Sequence, residues 1–252
     1  MSILPSHPAV EPSSATRFAI PAPAESLFAQ SLDQASLRRV EAKGFLFTEG
    51  DPISYVYRIE TGAIALVRVL ADGRRQVMGF AYPGDLIGLG VEDEHAMNAQ
   101  ALKPTRVRCL PVSSVRQSAA NDPTLGFKLY EALARELAAT RDLMLTTGHR
   151  TAAERLAGFL VAFSRRNERN GKDATVLQLP MTRSDIGDFL GLTIETVSRT
   201  FTKFKAMALI ELQQGNEVKI IDRAALEKLA AGDECRTPCP HPTAARAPRR
   251  ER

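Results

Sequence analysis

Glu195, Ser198 and Arg199 are the residues of this sequence whose types and spacing are best suited to chemistry. Spaced i, i+3 and i+4, they share one face of a helix. That face presents a carboxylate acceptor, a hydroxyl and a forked guanidinium side by side. An arginine grips guanine O6 and N7 with two parallel N–H groups, and a glutamate accepts from the N4 amino group of cytosine. One turn apart, the two can read a G·C pair and its neighbour together. Around them, Thr182, Arg183, Thr193, Thr200, Lys203 and Lys205 supply donors suited to phosphate oxygens. Phosphate contacts set register and affinity but carry no sequence information. The competing reading is a plain i, i+4 surface pair between Glu195 and Arg199, worth a few tenths of a kcal/mol. The elements around the trio decide between the two.

Those elements read as helix, tight turn, helix, then hairpin. Thr182 is a good N-cap, and Asp185 three residues on can return the hydrogen bond in a capping box. Ile186, Phe189 and Leu190 give the first helix a buried face, and Gly191 is placed to end it. Thr193 is positioned to cap a second helix whose inner face is Val197, Phe201, Phe204 and Ala208. Glu195, Ser198 and Arg199 then fall on the opposite side, in the first two turns, where a recognition helix reaches base edges. Two β-prone runs, Ile210 to Leu212 and Val218 to Ile221, flank Gln213-Gln214-Gly215-Asn216 and read as a wing. This order is that of a winged helix-turn-helix.

Upstream, Leu125, Leu129, Leu133, Leu137 and Met144 lie on one stripe of a long helical segment that opens at Asp122-Pro123. A helix of about 25 residues spans roughly 38 Å, more than a small β domain needs for cover, so two such stripes are expected to pair as a dimer. A helix packed only on its own domain is the alternative. From Phe45 to about Val112, short β-prone runs alternate with turns at Glu49-Gly50-Asp51-Pro52, Ala71-Asp72-Gly73 and Pro83-Gly84-Asp85, the texture of a small antiparallel jelly roll. Leu27, Leu32, Leu37 and Val40 read as the apolar face of a short helix before it. The expected layout is a flexible arm (1–24), a β-roll (25–121), a dimerisation helix (122–149), a winged helix-turn-helix (150–232) and a disordered basic tail (233–252). The fold class is α+β.

The bulk properties fit this layout. With 252 residues and 44% hydrophobic content the chain can bury a sizeable core, and its net charge of +4 is compatible with a polyanionic partner. No apolar run approaches the ~18 residues that span a bilayer. The N-terminal residues lack a basic stretch followed by an apolar one, so no signal peptide and no membrane are expected. Three cysteines, Cys109, Cys235 and Cys239, form no paired framework, which fits a reducing cytoplasm. Cys235, Cys239 and His241 lack a fourth metal ligand, while His7, His95 and His149 have no ligand spacing, so no metal is expected. A phosphate loop and a nucleophile–histidine arrangement are likewise missing, which argues against an enzyme.

At this point the sequence resembles the Crp/Fnr superfamily of bacterial transcription regulators. DIGDFLGLTIETVSR looks like the Fnr-type helix-turn-helix, with Glu195, Ser198 and Arg199 matching its base-reading E-x-x-S-R core. GFAYPGDLIG in the roll and the long helix after Asp122 extend the resemblance over roughly residues 30 to 230. It implies a cyclic-nucleotide-binding-like roll and a homodimer on a palindrome of TTGA-type half-sites in double-stranded DNA, acting through RNA polymerase. The turn from Asp72 to Arg75 resembles the family's polymerase-facing hairpin, with a simple solvated hairpin as the alternative.

Two departures from the family pattern shape the expectation. Leu89 follows Gly88, where nucleotide-binding members carry a Glu. Ala96-Met97 stand about where their phosphate-holding Arg-Ser or Arg-Thr pair would be. A buried phosphate without a paired cation is costly, so no cyclic nucleotide is expected. The N-terminal arm has no cysteine, so Cys109 alone cannot hold the iron–sulfur cluster of the oxygen-sensing members and reads as a buried thiol. The resemblance is therefore to the FixK-like branch, which implies an activator of microaerobic or nitrogen-fixation-related genes with no cofactor. The alternative is a regulator of the same fold that needs haem or another effector in the roll.

Overall fold

The computed structural model describes residues 35–90, 93–124, 126, 127, 129–131, 133, 134, 137 and 150–232. The expected arm, the basic tail with Cys235 and Cys239, and Leu125 and Met144 of the expected dimer stripe lie outside those residues.

Six strands build the N-terminal unit: β1 (Ser36–Val40), β2 (Phe45–Phe47), β3 (Tyr55–Val69), β4 (Arg75–Ala81), β5 (Leu86–Ile87) and β6 (Asn98–Pro111). Their order is β1-β6-β3-β4, with β2 also on β6 and β5 on β3, and every pairing is antiparallel. The long strands β3 and β6 pair Ile59 with Val107 and Ile64 with Ala101, with register shifts between the two pairs. Such irregularities bend a ladder. Val40, Leu46, Phe47, Ile59, Ile64, Val107 and Cys109 form one core cluster. Cys109 is a free, buried thiol, and that burial raises its pKa.

One local expectation fails where it can be followed, Leu27 and Leu32 of the expected helix lying outside the described residues. Leu37 and Val40 belong to strand β1, paired with β6 through Leu37–Arg108 and Val40–Thr105, not to a helix. Two apolar residues three apart fit a helical stripe, but a partner strand some 70 residues away decides the outcome, and local spacing carries no trace of it.

Helix α1 (Val112–Asn121) follows β6 directly and buries Val115. The Asp122 carboxylate then accepts from the Thr124 N–H at 2.9 Å, capping the helical residues that resume at 123. Further along, α2 (Ala152–Arg169) starts at a Thr151–Glu154 capping box.

The C-terminal unit continues as β7 (Val176–Gln178), α3 (Arg183–Leu190), α4 (Ile194–Ala206), β8 (Ile210–Leu212), β9 (Glu217–Ile220) and α5 (Arg223–Ala231). The wing is a three-stranded antiparallel sheet in the order β7-β9-β8. Its core joins Leu156, Leu160, Met181, Ile186, Val197, Phe201, Phe204, Val218 and Leu226 from all these elements. That cluster also includes Ala63 and Tyr82 of the roll, so apolar packing crosses from one unit to the other. Among the described residues, no helix is long and apolar enough to cross a membrane.

Candidate nucleic-acid interface

The interface starts from two capped helices. Thr182 and Asp185 form the capping box of α3: the Asp185 N–H donates to Thr182 Oγ1 at 3.1 Å, and the Thr182 N–H donates to Asp185 Oδ2 at 2.9 Å. At the other end Gly191 closes α3 in the left-handed conformation, φ 66°, which a side chain would strain. The turn is tight enough that a Cβ on Gly187 would meet the Leu192 carbonyl oxygen at 2.7 Å. Arg155 Nη1 adds a hydrogen bond to the Leu190 carbonyl at 3.0 Å. The next helix, α4, is capped by Thr193, whose Oγ1 accepts from the Thr196 N–H at 3.2 Å.

Val197, Phe201 and Phe204 turn inward from α4 and are almost fully buried. Ala208 does not join them. The helix ends at Ala206, and Ala208 is exposed at φ 53°, swinging the chain into β8 so that Leu209 fills the core position. The i, i+3, i+4 pattern in the sequence runs on past the end of the helix at Ala206.

The opposite face of α4 carries Glu195, Ser198 and Arg199, all exposed. Glu195 sits in the first turn of the helix. Its own backbone N–H, the Thr193 side chain and, less strongly, the Arg199 charge hold its carboxyl below the usual carboxylate range. It is therefore an ionised acceptor at neutral pH. Among the described residues, no ion pair ties Glu195 to Arg199, and both polar ends are available to a ligand.

The flanking donors divide. Thr182, Thr193, Lys203 and Lys205 are exposed around the trio. Thr200 is buried and donates to the Thr196 carbonyl at 2.7 Å. Arg183 is half-buried, its guanidinium carbon 3.2 Å from the centre of the Phe201 ring. Both side chains are engaged in the domain's own packing.

Sequence reasoning missed how the roll meets this domain. Arg75, in the hairpin expected to face polymerase or solvent, instead lies on α3 with Asp185 and Asp188. Phe80 of β4 stands 5.3 Å from Phe189 and 6.4 Å from Phe159, ring centre to ring centre. Asp85 pairs with Arg166 of α2. The charged partners lie 81 to 113 residues apart in sequence, and no local pattern announces any of these contacts.

Two family models match the chain: a cyclic nucleotide-binding domain over residues 37–122 and a Crp-like helix-turn-helix domain over residues 154–229. The nitrogen fixation regulation protein FixK of Bradyrhizobium diazoefficiens is 36% identical over 215 residues, covering 82% of this chain and 90% of its own. The chain belongs to the Crp/Fnr family of transcription regulators. The transcriptional activator Anr of Pseudomonas aeruginosa is 38% identical to this Crp/Fnr regulator, covering 80% of the chain and 84% of its own length. The structure of FixK2 from Bradyrhizobium japonicum superposes with a TM-score of 0.73 at 36% identity, covering 78% of the chain and 98% of FixK2. As a Crp/Fnr protein with a Crp-like helix-turn-helix, the chain is a DNA-binding transcription regulator.

Proposed function

We propose that this Crp/Fnr regulator binds palindromic DNA with TTGA-type half-sites as a homodimer, reading bases through Glu195, Ser198 and Arg199. The observation that carries the reading is the placement of these three side chains on one exposed face at the N-terminal end of α4, with Glu195 ionised. Thr182, Thr193 and Lys203 meet the adjacent phosphates. Of the expected stripe, Leu133 and Leu137 lie exposed in the single chain, beside Phe127 and Tyr130, which supports a dimer formed along residues 122–149, whereas Leu129 packs against the cluster of Val56, Leu110 and Val115. In this layout residues 25–121 are the roll and 150–232 the reading domain. The protein acts in the cytoplasm as an activator that contacts RNA polymerase, without catalysis of its own. Its targets are microaerobic or nitrogen-fixation-related genes, and relatives named for nitrogen fixation regulation and for transcriptional activation support the nitrogen-fixation and activator parts of that reading.

The same reading holds that no cyclic nucleotide is needed. A cavity of about 620 Å³ between the roll and the helices that follow it is lined, at the positions that hold the phosphate in nucleotide-binding members, by Gly88, Leu89, Ala96 and Met97, and none of these four carries a cation; His95 and Arg116 line it elsewhere. The cavity also favours a second reading, an apolar effector or haem bound in the roll, because its wall is mostly aliphatic. One experiment separates the two: the purified protein, without added ligand, is titrated onto a TTGA-type palindrome and a scrambled duplex across a salt series, and its visible spectrum is recorded. Tight, palindrome-selective binding by a colourless dimer is the expected result. Unselective weak binding, or a haem band, favours the second reading.

A further inference from the structure

Beside the apolar packing of Ala63, Phe80 and Tyr82, polar contacts hold the reading domain on the roll at two separate places. The first is the Asp85–Arg166 pair, where the loop after β4 meets α2. The second lies on α3 itself. Arg75 Nη1 stands 2.8 Å from Asp185 Oδ1 and 2.6 Å from Asp188 Oδ2, while its Nη2 donates to Gln100 Oε1 of the roll at 3.3 Å. Beside it, Gln76 Nε2 donates to the Asp188 carbonyl at 2.7 Å. Phe80 packs on Phe189 next to these polar contacts. Asp185 and Asp188, three residues apart on one helix, would repel each other without a shared cation. All three charged side chains are partly buried, which shields the cluster from salt more than a surface pair would be.

A body attached at one point can pivot about it; a second attachment fixes its orientation. Helices α3 and α4 turn together, because the turn between them leaves no room even for a Cβ at Gly187. We propose that Arg75 is a positioning residue for DNA reading: it locks α3, and with it α4, at one orientation on the roll and thereby sets the half-site spacing that the dimer accepts. In a two-fold dimer the accepted spacing follows the separation of the two recognition helices. Base preference within one half-site depends on the α4 side chains alone, so Arg75 controls spacing and leaves base preference untouched. The spacing part rests on the palindrome reading above; the docking part does not.

The test uses the full-length chain and Arg75→Ala, Arg75→Lys and Asp188→Asn. Asp185 is left alone because it also caps α3. The first measurement needs no DNA: energy transfer between dyes on Lys103→Cys in the roll and Gln213→Cys in the wing, with Cys235 and Cys239 changed to Ser and labelled chains diluted with unlabelled ones. The parent should give one narrow distance distribution, Arg75→Ala and Asp188→Asn a broadened one, and Arg75→Lys an intermediate one. An unchanged distribution in Arg75→Ala overturns the proposal. The second measurement compares affinity for two TTGA-type half-sites at the best spacing and at one base pair more. The ratio should fall about tenfold in Arg75→Ala, with preference over a scrambled half-site intact. A parent-like spacing ratio in Arg75→Ala contradicts the proposal. If the parent shows no half-site preference, the palindrome reading fails, and the distance distribution alone decides the role of Arg75.

Discussion

Arg166 Nη2 lies 3.0 Å from Asp85 Oδ1 across the junction between the roll and the reading domain, and both side chains are almost fully enclosed. The Tyr82 N–H donates to the other Asp85 oxygen at 2.8 Å, and the Arg166 guanidinium stacks 4.6 Å from the centre of the Tyr82 ring. Burial pushes Asp85 up to about 6, against the pull of Arg166 and of the Tyr82 amide. A buried pair of this kind is costly to break from one side, because the surviving charge is left without its partner.

Arg166→Met should therefore destabilise the chain by about 3–5 kcal/mol at neutral pH. The sign of the pH dependence follows from the raised carboxyl. Its favourable contribution is full below the unfolded value near 3.8 and is lost as pH rises through about 6. Without Arg166 the burial is unopposed and the loss reaches higher pH. Denaturant unfolding at pH 5 and pH 8 should show the variant's deficit shrinking at the lower pH. An equal deficit at both values would mean that Asp85 stays ionised throughout.

Gly187→Ala tests the helix-turn-helix corner. The added methyl would press on the Leu192 carbonyl oxygen, a backbone atom that cannot swing aside. The expected cost is about 1–3 kcal/mol, seen as a lower denaturation midpoint. A variant as stable as the parent would show that the corner is looser than its 2.7 Å approach implies.

The corner and the exposed placement of Glu195, Ser198 and Arg199 were largely legible in the sequence, whereas the roll's first strand and the domain junction were not. Thr182, Asp185 and Gly191 act within a few residues of themselves, so their capping roles follow from type and spacing. Glu195, Ser198 and Arg199 are fixed by a strong inner stripe of Val197, Phe201 and Phe204 on the same helix. The three residues of β7 are held by β9, about 40 residues later, and VLQ alone is too short to announce a strand. α5 was missed as well, although Asp222 caps it by accepting from the Ala225 N–H at 2.9 Å and Gly232 closes it. Arg75 shows the limit best. Its neighbours Asp72 and Arg74 pair locally, as a solvated hairpin would, while its own partners are set by how two units pack.

Lys203→Ala separates affinity from specificity. Lys203 is exposed beside the reading face, so its loss should weaken binding to every duplex alike. The slope of log affinity against log salt should become shallower by about one unit per chain in contact. A change in base preference with an unchanged slope would place Lys203 on a base edge instead.

Arg199→Ala bears most directly on the account, measured against a set of palindromes in which each half-site base pair is substituted in turn. The variant is expected to lose about 1–3 kcal/mol on the native site and to stop discriminating at one base position, while the remaining positions keep their preferences. Intact discrimination at every position, with affinity lowered uniformly, would contradict base reading by the exposed face of α4.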